Sequence, residues 1–178
     1  MQKKEAVANT VIKNYQSPVM KIKFSNLANP FYYPTTPNIP RYSITCVLDP
    51  DKHREFLKMI RQIEEKDNIV STIKDETSKD RQSGDIHTTG KYLIKFNGKD
   101  KIPVSFVRGD KALPPDSVFE EPKYGTECSV IFDIVRYNKK GTNDKGLSFQ
   151  PSLVYIHETQ QAKEDTNLFS APAEESPF

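Results

Sequence analysis

The stretch Lys91-Tyr92-Leu93-Ile94-Lys95-Phe96-Asn97-Gly98 decides the fold class of this 178-residue chain. Tyr92, Ile94 and Phe96 recur at every second position, which is the period of a strand with one buried face. Asn97-Gly98 is a strong turn signal. Ile102, Val104 and Phe106 resume the alternation after it. We therefore predict an answering strand there, with Pro103 at its start or on a sheet edge.

The same alternation predicts a strand much earlier in the chain. Met20, Ile22 and Phe24 fall on one face of an extended segment, and Lys21 and Lys23 fall on the other. Successive side chains of a strand point to opposite faces. The sequence therefore predicts a half-buried strand with a basic outer face.

One main helix is predicted between the early and late strands. Asp49 is a suitable N-cap, and Pro50 is a suitable first helical residue. Phe56, Ile60 and Ile63 then recur at helical spacing, with charged residues on the opposite face. We expect this helix to end near Lys66.

Further strands are predicted over residues 42–48, 126–137 and 147–157. Residues 29–40 contain four prolines, which predict a loop. Residues 67–90 are mostly polar and are predicted as a helix extension followed by a mobile loop. Six strands, one helix and many turns predict a mainly β protein, organised as a small closed or nearly closed antiparallel barrel.

Charge divides the chain into three parts: a flexible arm over residues 1–17, a body over 18–157 and an acidic tail over 158–178. The tail holds one base and five acids, a net charge of −4. Because the whole chain carries +2, residues 1–157 carry +6. A basic body joined to an acidic tail points to a nucleic-acid partner.

The composition excludes several classes of protein. No run approaches the ~20 apolar residues of a membrane span, and the N-terminus lacks the apolar region of a signal peptide. The two cysteines, Cys46 and Cys128, form no metal-binding or redox motif, and we expect buried free thiols. These features predict a cytoplasmic protein with no membrane partner.

Signals for catalysis are weak. No histidine belongs to a metal-binding pattern, and there is neither a nucleophile elbow nor a glycine-rich phosphate loop. We therefore predict no enzymatic activity, no metal and no cofactor. One alternative is a Mg²⁺-dependent nuclease that uses Asp116, Glu121 and Lys123. A second is a scaffold or recombination mediator that binds other proteins through Phe178.

Basic residues and aromatic residues alternate on the predicted outer surface. Single-stranded nucleic acid needs both, since cations neutralise phosphates and flat rings stack on bases. The sequence therefore predicts a non-enzymatic protein that binds single-stranded DNA. The predicted binding residues are Lys21, Lys23, Phe31, Tyr32, Tyr33, Arg41, Lys91, Lys95, Tyr137, Lys139, Lys140 and Phe149.

The order of several segments resembles the single-stranded DNA-binding proteins of tailed phages. The segments are Lys23-Phe24-Ser25-Asn26-Leu27, Asp49-Pro50-Asp51, Pro103-Val104-Ser105 and Gly146-Leu147-Ser148-Phe149. The resemblance implies an OB-like small antiparallel barrel with one main α-helix and flexible termini. It also implies coating of single strands, with little sequence specificity, during phage DNA replication and recombination in the cytoplasm of a host cell.

The resemblance extends to the tail, where Glu174, Glu175, Pro177 and Phe178 match the family's acidic, Phe-ended terminus. It implies that the tail occupies the DNA groove when DNA is absent and recruits replication or recombination proteins. A homo-oligomer is compatible with this pattern. The chain departs from the family in lacking a long run of acids and in placing its helix after the second strand.

Overall fold

The computed structural model describes residues 9–98, 100–114, 119–138 and 145–158. These ranges contain one helix and ten strands. In chain order they are β1 Asn9–Gln16, β2 Met20–Tyr33, β3 Thr36–Leu48, α1 Arg54–Asp67, β4 Val70–Ser71, β5 Lys74–Lys79, β6 Ile86–Gly98, β7 Val104–Arg108, β8 Lys111–Ala112, β9 Glu127–Asn138 and β10 Lys145–Glu158.

All ten strands belong to one sheet. The main path runs β5-β6-β3-β2-β9-β10-β7-β8, with β1 added to β9 and β4 added to β10. The pairs are antiparallel except for β10 with β7 and β10 with β4, which are parallel. The sheet curls so that β10 also contacts β6. The prediction of a mainly β, OB-like fold with one main helix is confirmed.

Aromatic rings from four elements fill the centre of the core. The ring of Phe132 on β9 lies 4.9 Å from that of Phe96 on β6 and 5.9 Å from that of Phe149 on β10. Phe56 of α1 packs against the same ring at 6.0 Å. These edge-to-face contacts are favourable for aromatic pairs. The helix therefore closes one end of the curled sheet.

The helix begins later than predicted. Asp49 does not cap it; its carboxylate accepts a hydrogen bond from the Asp51 N–H at 2.9 Å and forms a turn. The ring of His53 fixes this turn, because Nδ1 accepts the Asp49 N–H at 2.9 Å and Nε2 lies 2.8 Å from the Val19 carbonyl oxygen. The predicted end is correct to within a residue, and Asn68 ends the helix in the left-handed conformation.

The predicted hairpin at Asn97-Gly98 is wrong, because the strands on either side of the turn do not pair. β6 pairs with β3, and β7 pairs in parallel with β10. Pro103 has no N–H, yet its carbonyl oxygen accepts the Val154 N–H at 2.9 Å. The buried side chains of Ile102 and Val104 direct this segment into the core rather than back along β6.

The proline-rich segment 29–40 is also not a loop. β2 and β3 continue through it as a two-stranded arm, in which Phe31 pairs with Arg41 and Tyr33 pairs with Thr36. Register shifts on both sides of Phe31 accommodate the prolines. A strand that is paired on one side only tolerates proline where its N–H is not needed.

Segment 67–90 is neither a helix extension nor a loop. It contains β4, β5 and the start of β6, and β5 pairs with β6 as a polar hairpin. At the tip, the Asp80 carboxylate accepts the N–H groups of Gln82 and Ser83. Gly84 adopts a φ of +77° that the turn requires. The conformation of this hairpin therefore depends on its turn residues, because its two strands contain few apolar side chains that could be buried.

Part of the predicted N-terminal arm lies in the sheet. Residues 9–16 form β1, which pairs with β9 from Asn9–Arg136 to Gln16–Ile131. Ser17 continues the attachment, because its hydroxyl accepts the Val130 N–H at 2.9 Å. At the other end, Glu158 completes β10 and pairs with Arg108, so this residue of the predicted acidic tail belongs to the sheet.

Both cysteines are buried and unpaired, as predicted. Their Sγ atoms lie 3.5 Å apart, with Cys46 on β3 and Cys128 on β9. Burial raises the pKa of the Cys46 thiol well above its ordinary value. Within the described ranges, α1 is too short and too polar to cross a membrane.

Candidate nucleic-acid interface

The face of β2, β3 and β6 that points away from the core is here called the outer face. Cross-strand rows define it: Lys21–Val47–Leu93, then Phe24–Thr45–Lys95, then Asn26–Ser43–Asn97. The arm of β2 and β3 extends it with Phe31 beside Arg41. This face carries cations, aromatic rings, amides and hydroxyls, which are the groups that contact phosphates and bases.

Two rings and one cation form a cluster on the arm. The ring centroids of Phe31 and Tyr33 lie 5.0 Å apart in an edge-to-face arrangement. The Arg41 guanidinium lies 5.7 Å from the centroid of the Tyr33 ring. Both rings are about half exposed, at 49% for Phe31 and 46% for Tyr33. The cluster is therefore ordered by its own contacts and still open to a ligand.

This cluster opens onto a cavity of about 630 Å³ between the arm, β6 and β10. Four predicted binding residues, Phe31, Tyr33, Arg41 and Lys95, line it together. The remaining lining residues are Asn26, Tyr42, Ser43, Asn97, Gly98, Ser148 and Gln150. Rings and cations offer stacking and phosphate contacts, and the amides and hydroxyls offer hydrogen bonds to bases and sugars.

Other predicted binding residues lie outside this cavity. Tyr32 falls between two rings that contact each other, so it points to the opposite side of β2. Tyr137 is 37% exposed and pairs with Gly146, where a Cβ atom would collide with the tyrosine ring. Lys21 and Lys91 are exposed. The pKa of Asp49 is lowered chiefly by the hydrogen bond from the Asp51 N–H, and the positive charge of Lys91 contributes to a lesser extent.

Phe149 requires a correction. It is only 1% exposed and packs against Phe96 and Phe132 in the core, so its ring is not available for stacking on a base. The alternation of β10 places Ser148 and Gln150 on the outer face instead. Lys139, Lys140 and the tail residues Glu174, Glu175, Pro177 and Phe178 lie outside the described residues.

Lys23 makes an ion pair with Glu76 of β5. Lys23 Nζ lies 2.9 Å from Glu76 Oε2, and the Thr89 hydroxyl donates to Oε1 at 2.9 Å. Burial by itself would raise the pKa of Glu76, but the hydrogen bonds from Lys23 and Thr89, with the positive charges of Lys23 and Lys91, lower it below its ordinary value. This network fastens the β5–β6 hairpin to β2.

We expect Glu76→Gln to lower the free energy of unfolding by about 1–2 kcal/mol at pH 7, since it removes a charge-assisted hydrogen bond. The folded-state pKa of Glu76 is depressed, so its stabilisation is present above the unfolded-state value and is lost as pH falls through the folded value. Urea unfolding of both chains between pH 7 and pH 3 should therefore show the difference shrinking below about pH 4.5.

A matched control is Glu65→Gln on the exposed surface of α1. Its effect should stay within about 0.5 kcal/mol at every pH. A constant difference between the Glu76 variant and the original chain across the whole pH range would contradict the ion-pair assignment.

Glu121 anchors the base of the arm. Its carboxylate accepts the N–H groups of Leu27, Ala28 and Asn29, each at 2.9 Å, and the Ser25 hydroxyl at 2.7 Å. These donors lie where β2 passes through an irregular stretch between the body of the sheet and the arm. Glu121 is therefore the acceptor that satisfies backbone donors at this bend.

This arrangement bears on the nuclease alternative. The oxygens of Glu121 already accept four donors, and Lys123 is exposed at the surface. Asp116 lies outside the described residues. Among the residues that the structure describes, no three His, Cys, Asp or Glu side chains are grouped so that they could hold a metal ion.

Sequence reasoning missed two exposed aromatic residues, Phe24 and Tyr124. Phe24 was expected on the buried face with Ile22, but a register shift between these two residues turns it outward, and it is 61% exposed. Tyr124 is 72% exposed and lies beside Lys23. The sequence contains no signal for the shift, although Tyr124-Gly125 is recognisable as a turn.

Comparisons with known proteins agree with this fold. No protein-family model and no curated protein sequence matches the chain. Among solved structures, the chain is similar to the single-stranded DNA-binding protein from bacteriophage Enc34 in complex with ssDNA, with a TM-score of 0.57 and 19% identity over 89% of this chain and 98% of that one. A C-terminally truncated form of the Enc34 protein gives a TM-score of 0.58 and 18% identity, covering 90% of this chain and 98% of that one.

A second phage protein has the same fold. The chain is similar to gp2.5, a single-stranded DNA-binding protein encoded by bacteriophage T7, with a TM-score of 0.59 and 14% identity over 85% of this chain and 96% of that one. At such identities the likeness establishes the fold. The expected OB-like architecture of phage single-stranded DNA-binding proteins is therefore confirmed as a fold.

Proposed function

We propose that this chain is a non-enzymatic single-stranded DNA-binding protein with little sequence preference. The observation that carries the proposal is the cavity in which Phe31, Tyr33, Arg41 and Lys95 meet. Rings that stack on any base and cations that neutralise phosphates give affinity without reading the sequence. The likeness in fold to phage proteins that bind single-stranded DNA supports the same conclusion.

The biological setting and the partners extend this proposal. We infer coating of single strands in phage DNA replication and recombination, in the cytoplasm of the host. The net charge of −4 over residues 158–178 supports a tail that competes with DNA for the basic body. The segment ending in Glu174, Glu175, Pro177 and Phe178 is proposed to recruit replication or recombination proteins.

A salt titration of the full chain with fluorescent oligo-dT, in the absence of metal, tests the proposal. With about three to five phosphates neutralised, the slope of log K against log salt is about −2 to −3.5, so affinity falls about 20- to 100-fold between 50 and 200 mM salt. A full-length variant with Glu164, Asp165, Glu174 and Glu175 changed to their amides should bind more tightly. No binding at low salt would overturn the proposal.

The same titration separates the alternatives. A protein-binding mediator without DNA affinity leaves the oligonucleotide free at every salt concentration. A nuclease shortens the oligonucleotide when Mg²⁺ is added, and Asp116→Ala abolishes that cleavage. We expect a stable, full-length oligonucleotide with or without Mg²⁺.

A further inference from the structure

Tyr124 and Phe24 are both exposed near Lys23, and neither lines the cavity described above. The Gly125 N–H donates to the Ile22 carbonyl oxygen at 2.8 Å, and the Ile22 N–H donates to the Thr126 carbonyl oxygen at 2.9 Å. These two bonds hold the turn at Tyr124 against β2, next to Lys23 and Phe24. The turn that carries Tyr124 is therefore attached to β2 by backbone hydrogen bonds close to Phe24.

Both rings are unusually open. Tyr124 is 72% exposed and Phe24 is 61% exposed, which makes them the most exposed aromatic side chains in the part of the chain that the structure describes. A single exposed apolar side chain is normal on a protein surface. These two rings near Lys23, one carried by a turn and the other by a strand irregularity, are here called the platform.

A cation lies at this platform. Lys23 Nζ is 5.5 Å from the centroid of the Tyr124 ring and makes an ion pair with Glu76 at 2.9 Å. Lys21, on the same strand, is exposed. The ion pair restricts the lysine side chain, so its position over the ring is maintained without a ligand. Ring and cation together reproduce the chemistry of the arm cluster.

The platform lies close to one edge of the cavity. Phe24 pairs with Thr45, and Thr45 pairs with Lys95, which lines the cavity. Neighbouring strands lie about 4.8 Å apart, so two steps separate Phe24 from Lys95 by about 10 Å along the row. The platform therefore lies about two strand spacings from the edge of the cavity at Lys95.

We propose that Phe24 and Tyr124, with Lys23 beside them, form a second base-stacking subsite for the strand that occupies the cavity. This inference rests on the proposed function, since it assigns further bases of the same ligand. The subsite takes unpaired bases, because the rings offer flat faces and only single-stranded nucleic acid exposes base faces to them. It also lengthens the stretch of nucleic acid that one chain covers.

The absence of tryptophan from the chain provides a direct test. Tyr124→Trp places the sole indole at the proposed subsite. Stacking on a base quenches indole emission, so addition of saturating dT of about 16 nucleotides, the upper range for one OB fold, should lower the emission. Gln62→Trp on the exposed surface of α1 is the control, and its emission should not change.

Affinity provides a second readout. Phe24→Ala should weaken binding of the same oligonucleotide about tenfold, because it removes one ring on which a base stacks. Its thermal unfolding should match that of the original chain, because the ring is exposed. Unchanged indole emission from a Tyr124→Trp chain that binds the oligonucleotide overturns the subsite and leaves the proposed function standing. Absence of binding by the original chain overturns the proposed function itself.

Discussion

Replacing Phe31 and Tyr33 together by alanine is expected to weaken binding of oligo-dT by about 100-fold or more. Each base–ring stack contributes about 1–3 kcal/mol by alanine substitution, and about 1.4 kcal/mol corresponds to a factor of ten in affinity. Arg41 loses its contact with the Tyr33 ring in the same variant, so a phosphate contact becomes less ordered as well. Fluorescence anisotropy at fixed salt measures the effect.

The control for this variant lies between the two rings. Tyr32→Ala removes a side chain of the same strand that is equally exposed, at 49%, but points to the opposite side. We expect its affinity to change less than about threefold, which is below about 0.7 kcal/mol. If the Phe31/Tyr33 variant keeps the original affinity while its unfolding is unchanged, the cavity is not the nucleic-acid interface.

Glu121→Ala is expected to have the largest effect on stability, at about 3 kcal/mol. Three backbone N–H groups and one hydroxyl lose a charged acceptor, and hydrogen bonds to charged groups contribute about 1.5–3 kcal/mol each before water replaces part of them. The arm is attached to the body of the sheet at this bend. DNA affinity should therefore fall together with stability. Because Glu121 acts here as a hydrogen-bond acceptor, this loss of affinity should be seen in metal-free buffer.

Two further variants define this role. Glu120→Ala changes the adjacent, exposed carboxylate and should alter the free energy of unfolding by less than about 0.5 kcal/mol. Glu121→Gln keeps an acceptor oxygen but presents an amide N–H to backbone donors. Its stability should therefore lie between that of Glu120→Ala and that of Glu121→Ala. Urea unfolding measures all three chains. A Glu121→Ala chain as stable as the original would show that the arm does not depend on this anchor.

The sequence predicted what alternation and helical spacing determine locally. The strand over residues 91–98 buries Ile94 and Phe96 as its alternation indicates, and the helix ends near Lys66 as its spacing requires. These features depend on neighbours in the sequence or on a period of two, which a single sequence displays.

Other features depend on contacts between distant residues and could not be predicted in this way. Asn97-Gly98 is a strong local signal for a turn, but it does not determine which strand pairs with β7. The burial of Val104 and its pairing with β10 determine that. The irregularity after Ile22 reversed the orientation of Phe24, and no residue type marks such a shift. Glu121 is a candidate Mg²⁺ ligand when only the sequence is considered. Its role as an acceptor depends on contacts with residues 25–29, which are distant in the sequence.

The position of β10 has a consequence for the order in which the chain acquires its structure. β4, β7 and β9 all pair with β10, and β1 pairs with β9, so several strands between residues 9 and 112 wait for partners that the ribosome makes later. Contacts of such large sequence separation slow folding. Among the strands that the structure describes, β2, β3, β5 and β6 can associate earlier, and so can the short pair β7 and β8. A nascent chain therefore presents the rings of its arm before the wall of the cavity formed by Ser148 and Gln150 exists.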